Sequence, residues 1–484
     1  MSSAIIPLNA LGRQKSAQTG GCSAQGCGSG GGQAADGLAP DIWQRVKDHP
    51  CYSDEAHHYF ARMHVAVAPA CNIQCNYCNR KFDCANESRP GVTSERLSPE
   101  QAARKVVAVA SRVPQLSVLG VAGPGDALYD ARRTFETFDR VAEVLPDLTF
   151  CLSTNGLALP DWVDEIAARR IGHVTVTVNM VDPEVGARIY PWIFHGHRRW
   201  TGLDAARILH ERQMEGLERL AAKGVLVKVN SVMIPGVNDD HLVEVNRWIR
   251  ERGAFLHNVV PLISDPGHGT RFGLDGQRGP NPAELKGLQD RLDGGVRLMR
   301  HCRQCRADAV GLLGEDVSQD VTLDKLPETP VYDPAPRAAY RAVVERERED
   351  RHRAAAAATA GLARSGLPAR LVAVCTKGGG RINQHFGHAR EFQVYEVDGR
   401  GVRMIGHRRA DNYCLGGDGD DDRLDDIIAA LAGIDTVFAA KIGHCPKRDL
   451  AKAGIAVIDS YAHDYVETAL ADWFQAALPA AFTA

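Results

Sequence analysis

Three cysteines in the segment PACNIQCNYCNRKFDC, residues 69–84, have the clearest chemical meaning in this sequence. Cys71, Cys75 and Cys78 lie close together in a predicted loop that follows a strand. Three thiolates at this spacing can ligate three irons of a [4Fe–4S] cluster and leave the fourth iron open. Zinc would prefer four ligands, normally in two separated pairs. The segment therefore favours an iron–sulfur cluster whose open iron can chelate an amino and a carboxylate group.

The elements that must position this loop alternate between strand-like and helical runs. Strands are predicted at 62–68, 115–121, 148–153, 173–179, 225–233 and 255–263. The first helix begins at Ser98-Pro99-Glu100-Gln101, an N-cap followed by a proline and a glutamine that can complete a capping box. Later helices are predicted near 131–144, 160–169, 204–223 and 239–252. Strands separated by helices indicate a parallel sheet, either a curved incomplete barrel or an open doubly wound sheet.

The composition divides the chain into four parts. Residues 1–40 are rich in Gly and Ser and are predicted to be a disordered tail, in which Cys22 and Cys27 are exposed thiols. Residues 41–330 form the first domain, and 331–368, rich in Pro, Ala and charge, are predicted to be a solvated helical linker. A second α/β domain occupies 369–484.

Charge and hydropathy exclude several classes of protein. The 484 residues include 57 Lys+Arg and 60 Asp+Glu, and the net charge of -3 gives no support for non-specific nucleic-acid binding. No apolar run reaches the roughly 18 residues of a membrane span, and the N-terminus does not resemble a secretory signal. The 13 cysteines are odd in number and clustered, which favours metal binding over disulfides. We therefore expect a cytoplasmic protein.

With Tyr77 before its third cysteine, the loop has the CxxxCxΦC pattern and resembles the radical S-adenosylmethionine (SAM) enzymes. In that family a Gly-rich turn after the second strand holds the methionyl amino group of SAM. The matching turn here is GVAGPGD, residues 120–126, which offers Gly123 and Asp126. Polar residues near the ends of the next predicted strands are further candidate SAM contacts, although such residues are also common as caps: Ser153, Asn155, Asn179, Asn230 and Ser231.

Residues 49–92 resemble the signature region of the NifB family, the radical-SAM proteins of nitrogenase cofactor biosynthesis. The similarity continues through CLSTNG and through CRQCRADAVGLLGED at 302–316. The segment VAVCTKGGGRINQHFGHAREFQVYEV resembles the NifX-like domain that carries iron–molybdenum cofactor precursors. The resemblance implies an α/β protein, with a radical-SAM partial (β/α)6 TIM-like barrel followed by an RNase-H-like α/β domain.

The resemblance also implies three [4Fe–4S] clusters. Cys71, Cys75 and Cys78 would hold the radical-SAM cluster. The two others would be substrate clusters, one held by Cys51, His64 and Cys151, and one by Cys84, Cys302 and Cys305. Taken alone, a single His or Cys on a strand is more often a core residue. The pair Cys302 and Cys305 is better suited to share a cluster.

The implied reaction is lyase-type and fuses the two substrate clusters into an [8Fe–9S–C] precursor. One SAM would donate a methyl group to a cluster sulfide. A second would be cleaved to a 5′-deoxyadenosyl radical that abstracts hydrogen from that methyl, which leads to a carbide, and a ninth sulfur must be added. Glu87 and Arg89, in a segment similar to an ExxRPG motif, are the implied catalytic residues; a salt bridge from Glu87 to Arg89 or Lys81 is the alternative.

The implied partners are Fe–S donor proteins, cofactor carrier or scaffold proteins of nitrogenase assembly, and an electron donor, with no nucleic acid and no membrane. Two other functions stay open. One is a radical-SAM maturase of peptide or RNA whose extra clusters transfer electrons, and the other is a non-catalytic Fe–S scaffold. The second domain would store cofactor or dock partners, with His385 as the first candidate contact. Five other residues there are weaker candidates: Cys375, His388, Cys414, His444 and Cys445.

Overall fold

The structure is a computed structural model that describes residues 38–79, 93–360, 362, 368–410 and 421–476, with side chains omitted at 421–423. These residues form two compact units, one running from Leu38 to Arg341 and one beginning at Ala342. Cys84, Glu87 and Arg89 lie outside the described residues, as do Cys22, Cys27, Cys414 and most of the predicted tail.

The first unit is built from short strands and longer helices. Its strands are β1 (Ala61–His64), β2 (Ile73–Gln74), β3 (Leu116–Val121), β4 (Thr149–Thr154), β5 (His173–Thr177), β6 (Trp192–His195), β7 (Arg198–Trp200), β8 (Leu226–Met233), β9 (Leu256–Pro261) and β10 (Val310–Gly311). Its helices are α1 (Pro40–Val46), α2 (Pro99–Arg112), α3 (Ala131–Val144), α4 (Leu159–Ala168), α5 (Pro183–Ile189), α6 (Gly202–Ala222), α7 (Leu242–Glu251), α8 (Arg271–Leu274) and α9 (Pro282–Arg291).

Seven of these strands form one sheet in the order β10-β1-β3-β4-β5-β8-β9. Six strands of this sheet are parallel and follow one another in chain order: β1, β3, β4, β5, β8 and β9. The seventh, β10, pairs antiparallel with β1 at the edge. A doubly wound sheet reverses its strand order at a switch point, and this sheet does not. The prediction of a parallel sheet is therefore confirmed, and the curled half-barrel is the correct one of the two alternatives.

Local sequence signals explain where several elements begin and end. Helix α2 starts at the predicted capping box, in which Ser98 and Gln101 each bond the backbone of the other. Strand β1 is shorter than predicted, because the backbone leaves the ladder after His64 and leads into the cysteine loop. Among the described residues, no helix is both long enough and apolar enough to cross a membrane.

The second unit contains a five-stranded sheet in the order β13-β12-β11-β14-β15. Its strands are β11 (Arg370–Val374), β12 (Glu391–Asp398), β13 (Gly401–Arg409), β14 (Thr436–Phe438) and β15 (Ala456–Ile458). Its other helices, after α10 (Ala335–Thr359), are α11 (Asp421–Ala430), α12 (His444–Lys452) and α13 (Val466–Ala476). Three antiparallel strands followed by two parallel ones give the RNase-H-like arrangement that the resemblance implied.

Helix α10 occupies the segment for which we predicted a solvated linker. Within the first unit, Arg337 donates to the carbonyl of Leu116 and pairs with Asp147, and the Tyr340 hydroxyl donates to the carbonyl of Tyr59. Both Arg337 and Tyr340 are buried. The first residues of α10, which belong to the first unit, therefore pack within that unit through buried polar side chains.

Candidate active site

The seven-stranded sheet has one apolar and one polar face. Side chains such as Leu119, Leu152 and Val227 pack in the core between the sheet and its helices. Because side chains alternate along a strand, the residues between them face the interior of the half-barrel. That inner face carries mostly polar groups, and they are buried: Arg62, His64, Ser153, His173, Thr175, Thr177, Lys228 and Asn230. Burying so many polar groups is costly unless they bind something, so the inner face is the natural place for a site.

The three-cysteine loop follows β1, and its short strand β2 pairs with β6. Gln74 closes the loop: its amide donates to the carbonyls of Cys75 at 3.0 Å and Cys78 at 2.8 Å. Burial raises the pKa of Cys71 to about 12 and that of Cys75 well above its usual range, and the charges of neighbouring cysteines add to both shifts. Cys75 is buried, and Cys71 and Cys78 are partly exposed. This donor set fits an iron–sulfur cluster, which would supply the positive charge that three thiolates need there.

The Gly-rich turn after β3 is bonded directly to the start of the cysteine loop. Gly125 N donates to the carbonyl of Ala68 at 2.7 Å, and Asp126 N donates to the carbonyl of Ala70 at 2.8 Å. A Cβ at Gly125 would lie 2.1 Å from the Ala70 oxygen, so only glycine fits. Gly123 has φ +153 and its carbonyl accepts from Ala68 N. The turn and the loop therefore hold each other in place.

Asp126 is an anchor in this arrangement. Its carboxylate accepts hydrogen bonds from the backbone of Asn155 at 2.6 Å and of Leu128 at 2.9 Å, and from the hydroxyl of Thr154. Burial raises the pKa of Asp126, although these hydrogen bonds oppose the shift. The carboxylate oxygens are directed at protein groups, so Asp126 joins the ends of β3 and β4 to the cysteine loop.

Two asparagines connect later strands to the same loop. The amide of Asn155 donates to Asn72 at 2.7 Å and reaches the sulfur of Cys71 at 3.6 Å. The amide of Asn179 donates to the hydroxyl of Tyr77 at 2.8 Å, and its oxygen accepts from the backbone of Val232. Asn155 and Asn179 thus join the ends of β4 and β5 to the cysteine loop.

The remaining candidate SAM contacts divide between the two faces of the sheet. Ser153 and Asn230 are on the inner face, and Asn230 accepts from the amide of Asn258 at 3.0 Å. Ser231 is on the opposite, helix-facing side, where its hydroxyl donates to the carbonyl of Val178 and lies 2.9 Å from His257. The structure therefore does not bring Ser231 to the other candidates. Asn230 and Ser231 are neighbours along β8, and the side chains of neighbouring residues in a strand lie on opposite faces of the sheet.

His64 and Cys151 flank a glycine on the inner face. In the strand register His64 is opposite Gly120, and Gly120 is opposite Cys151. A Cβ at Gly120 would lie 2.7 Å from Cδ2 of the His64 ring. His64 Nδ1 is 3.1 Å from the carbonyl of Arg306, which only accepts, so the lone pair of the neutral ring is on Nε2. The absence of a side chain at Gly120 makes room for the His64 ring, which lies over this position.

Cys51 lies close to this inner-face group. Its backbone N–H donates to Nδ1 of His49 at 3.1 Å, and the ring of His49 is 4.5 Å from that of His173. The charges of His173, Lys228 and His64 all lower the pKa of His49, after burial as the largest cause. The segment before β1 therefore brings Cys51 to the interior of the half-barrel, on the side that His64 and Cys151 face.

Two buried cations accompany Cys302 and Cys305, and the sequence analysis identified neither. Arg62 donates to the sulfur of Cys305 from Nη2 at 3.0 Å. Burial opposes its charge, yet Cys305 and Cys51 raise the pKa of Arg62. Burial raises the pKa of Cys302, and the charge of Lys228 counteracts this. The signal in the sequence was the position of Arg62, two residues before His64 and therefore on the same face of β1.

In the second unit, His385 begins a short turn rather than lying in a core. Its Nδ1 accepts from the backbone N–H of Gly387 at 3.0 Å, and its ring is 5.0 Å from that of His388. Cys375 is fully buried, and Cys445 is exposed.

A half-barrel of parallel strands with a three-cysteine loop after its first strand defines the radical-SAM class. The family model "Radical SAM superfamily" matches residues 65–249, and the model "Dinitrogenase iron-molybdenum cofactor" matches residues 369–476. The FeMo cofactor biosynthesis protein NifB of Sinorhizobium fredii is 62% identical over 478 residues, which cover 97% of each chain. The protein of the same name from Rhodobacter capsulatus is 66% identical over 90% of this chain and 96% of its own.

The chain therefore belongs to the NifB family, and it is a radical-SAM enzyme with a role in FeMo-cofactor biosynthesis. The superfamily implies a [4Fe–4S] cluster and SAM as its cofactors. Among solved structures, methylornithine synthase is similar at 14% identity and a TM-score of 0.34, covering 56% of this chain and 76% of that one.

Proposed function

We propose that this enzyme fuses two [4Fe–4S] clusters, together with a carbide derived from SAM and an added sulfur, into an [8Fe–9S–C] precursor. The observation that carries the proposal is the row His64, Gly120 and Cys151 across three adjacent strands. A buried imidazole and a buried thiol on the two strands that flank this glycine are donors of the kind that ligate an iron–sulfur cluster. We assign Cys51 to the same site as the third ligand.

The resident cofactor cluster belongs to Cys71, Cys75 and Cys78. When bound, it supplies one electron for the cleavage of SAM. The chain's own contribution is to hold the reactants: the turn containing Gly123 fixes the loop, and we assign Asn155 and Asn179, which are bonded to the loop, to the orientation of SAM. Tyr77 is buried beside the third cysteine and shields this side of the loop from water.

The two substrate clusters belong to the other ligand sets. Cys51, His64 and Cys151 would hold one, and Cys302 and Cys305 would hold the other together with Cys84. Three ligands for each cluster leave one iron without a protein bond, which suits a substrate that must later be released. A neutral His64 is also easier to displace than a thiolate. Arg62 and Lys228 offset the negative charge of the thiolates in the interior.

Glu87 stays proposed as the acid or base of the later proton steps and Arg89 as a second catalytic residue, on the family motif alone. We further propose that Fe–S donor proteins, carrier or scaffold proteins and an electron donor bind this enzyme, and that the second unit stores product through His385. The match of residues 369–476 to the cofactor-binding family model supports storage over simple docking.

Iron content tests the ligand sets. After anaerobic reconstitution we expect about twelve irons per chain, as three four-iron clusters. Replacing Cys51, His64 and Cys151 together by Ala should remove about four irons and abolish the fused product, while reduction still releases 5′-deoxyadenosine. A wild-type chain that holds only about four irons, or that releases no 5′-deoxyadenosine, would exclude the proposal; the second outcome would favour the non-catalytic scaffold.

A further inference from the structure

Asp54, His57 and His301 bring one ligating atom each to within 4.8 Å of one another. Asp54 Oδ1 is 3.4 Å from Nδ1 of His301 and 3.7 Å from Nδ1 of His57. In a tetrahedral Zn²⁺ site, bonds of about 2.0–2.1 Å place neighbouring ligand atoms about 3.3 Å apart. The three side chains therefore need little movement to share one ion. None of them belongs to the three cluster ligand sets.

The orientation of His301 favours metal binding. Its Nε2 is 3.0 Å from the carbonyl oxygen of Pro50, which only accepts, so the hydrogen of a neutral ring is on Nε2. Nδ1 then presents its lone pair to the carboxylate oxygen of Asp54. Two lone pairs at this distance repel each other, and a cation between them makes the contact attractive. A histidine whose second nitrogen donates to a backbone carbonyl is also the usual arrangement of a metal ligand.

The surroundings combine rigidity with access. The rings of His57 and His301 are stacked, with centroids 5.0 Å apart and planes inclined by 15°. Both rings are buried, whereas the Asp54 side chain is 48% exposed. The two imidazoles are thus fixed in place, and the open side at Asp54 gives an ion a path from solvent and leaves room for a water as fourth ligand. The positive charge of Arg303 lowers the pKa of both His57 and His301, and the same charge opposes the binding of a metal cation there.

We propose that Asp54, His57 and His301 bind one divalent transition-metal ion, for which Zn²⁺ is the best-matched probe. Two imidazoles and one carboxylate favour zinc and its first-row neighbours over Mg²⁺, which prefers oxygen ligands. Asp54 and His57 follow Cys51 in the chain, and His301 directly precedes Cys302. The ion therefore joins the segment that carries Cys51 to the segment that carries Cys302.

Cobalt substitution in the full-length chain tests this site. Co²⁺ bound by nitrogen and oxygen gives weak ligand-field bands, whereas Co²⁺ bound by cysteines also gives strong thiolate charge-transfer bands. We expect the cluster-free wild-type chain to bind, besides any Co²⁺ at the cluster cysteines, one Co²⁺ that gives ligand-field bands alone, that Zn²⁺ displaces and that excess Mg²⁺ does not. Asp54→Ala should weaken this binding at least tenfold, and Asp54→Glu should restore most of it. The Asp54 side chain is half-exposed, so its replacement leaves the core intact.

Two control variants remove the same kinds of group from positions outside the proposed site, one a carboxylate and the other an imidazole ring. Asp41→Ala removes an exposed carboxylate from α1, and His58→Gln removes the ring that packs on His57 at 3.9 Å without belonging to the ligand group. Both should bind Co²⁺ as the wild type does. Equal binding by the wild type and Asp54→Ala, or wild-type binding only with thiolate bands, would overturn the proposal and leave an ion pair between Asp54 and His301. The thiolate bands report on the cysteines separately, so this result leaves the proposed function untouched.

Discussion

The guanidinium group of Arg62 contacts the sulfur of Cys305 through two nitrogens, Nε at 3.2 Å and Nη2 at 3.0 Å. Arg62 is on the same strand face as His64, so one short strand contacts both proposed substrate-cluster sites. A fork of N–H donors can bond a thiolate and a cluster sulfide at once, and a lysine ammonium cannot reproduce that geometry. Arg62 therefore joins Cys305 to β1, and under the proposed function it would contact the substrate cluster that Cys305 holds.

Replacing Arg62 by Lys should reduce fused product by about tenfold or more, as loss of a ligand's hydrogen-bond partner commonly does. The charge is retained, so the loss would come from the missing fork. Product is measured by transfer to a cofactor-free acceptor protein, and cleavage of SAM should stay near the wild-type level. Arg104→Lys is the matched control, because Arg104 donates to a single carbonyl, that of Leu323. Undiminished product in Arg62→Lys would show that the contact with Cys305 has no functional role.

Replacing Gly120 by Ala should eliminate the cluster held by His64 and Cys151. The added Cβ would lie 2.7 Å from the His64 ring and must displace it. We expect the iron content to fall by about four per chain, as the loss of one cluster, while SAM cleavage persists. Gly287→Ala in α9 is the control, since a Cβ there meets nothing within 4 Å. Full iron content in Gly120→Ala would contradict the assignment of His64 as a ligand.

Replacing Asp126 by Asn should loosen the cysteine loop. The amide would place its NH2 group against one of the two backbone donors, Asn155 or Leu128, and a charge-assisted hydrogen bond of this kind contributes about 1.5–3 kcal/mol. Since about 1.4 kcal/mol is a factor of ten, SAM binding should weaken at least tenfold, as measured by equilibrium dialysis. Asp182→Asn, at the N-cap of α5, should bind normally because Asn caps as well as Asp. Normal SAM affinity in Asp126→Asn would assign Asp126 no part in positioning the loop.

The stability of the first unit should fall as the pH decreases below 6.5, in part through His257. Burial lowers the pKa of His257 from 6.5 to about 3, so its neutral form is favoured by folding. Its Nδ1 faces the amide nitrogen of Asn246 at 2.9 Å and cannot accept a proton without losing that bond. The folded chain thus binds fewer protons than the unfolded chain between about pH 3 and 6.5, and stability is lost as the pH falls through that window.

Urea unfolding of the cluster-free chain between pH 7.5 and 5 measures this effect. His257→Gln should be less stable than wild type at pH 7.5, and the difference should shrink toward pH 5, by on the order of 1 kcal/mol per pH unit. The half-exposed His195, replaced by Gln, should follow the wild-type curve. A difference that is constant with pH would mean that His257 does not titrate on unfolding.

The sequence predicted those parts of the fold that depend on near neighbours. The capping box of α2 and the bounds of α3 follow from residues within one helical turn, and both were correct. The strand pattern alone did not distinguish the half-barrel from a doubly wound sheet, because strand order depends on contacts between distant segments; the resemblance to the radical-SAM enzymes implied the half-barrel, and the structure confirms it. The structure does not bring Ser231 together with the other candidate SAM contacts. Side chains alternate between the two faces of β8, and that of Ser231 is on the helix-facing side.

The sequence predicted the residues of the site only where they belong to a contiguous motif. The cysteine loop is contiguous, and its spacing identifies it. The bonds that hold it are not contiguous: Asn179 reaches Tyr77 and Arg62 reaches Cys305 across long stretches of chain. Arginine on a short strand is usually a surface residue, so the chemistry of Arg62 emerges only when β1 is seen beside the segment of Cys302 and Cys305.

The fate of the SAM methyl carbon tests the central claim most directly. The reconstituted chain is incubated with SAM labelled with ¹³C in its methyl group, under reduction and with a sulfur source, and the protein-bound cluster is examined by ¹³C hyperfine spectroscopy. We predict one ¹³C per chain coupled to the iron spin, absent from the variant in which Cys51, His64 and Cys151 are Ala. Label recovered in an added peptide or tRNA, with none in the cluster, would contradict the account and identify a maturase instead.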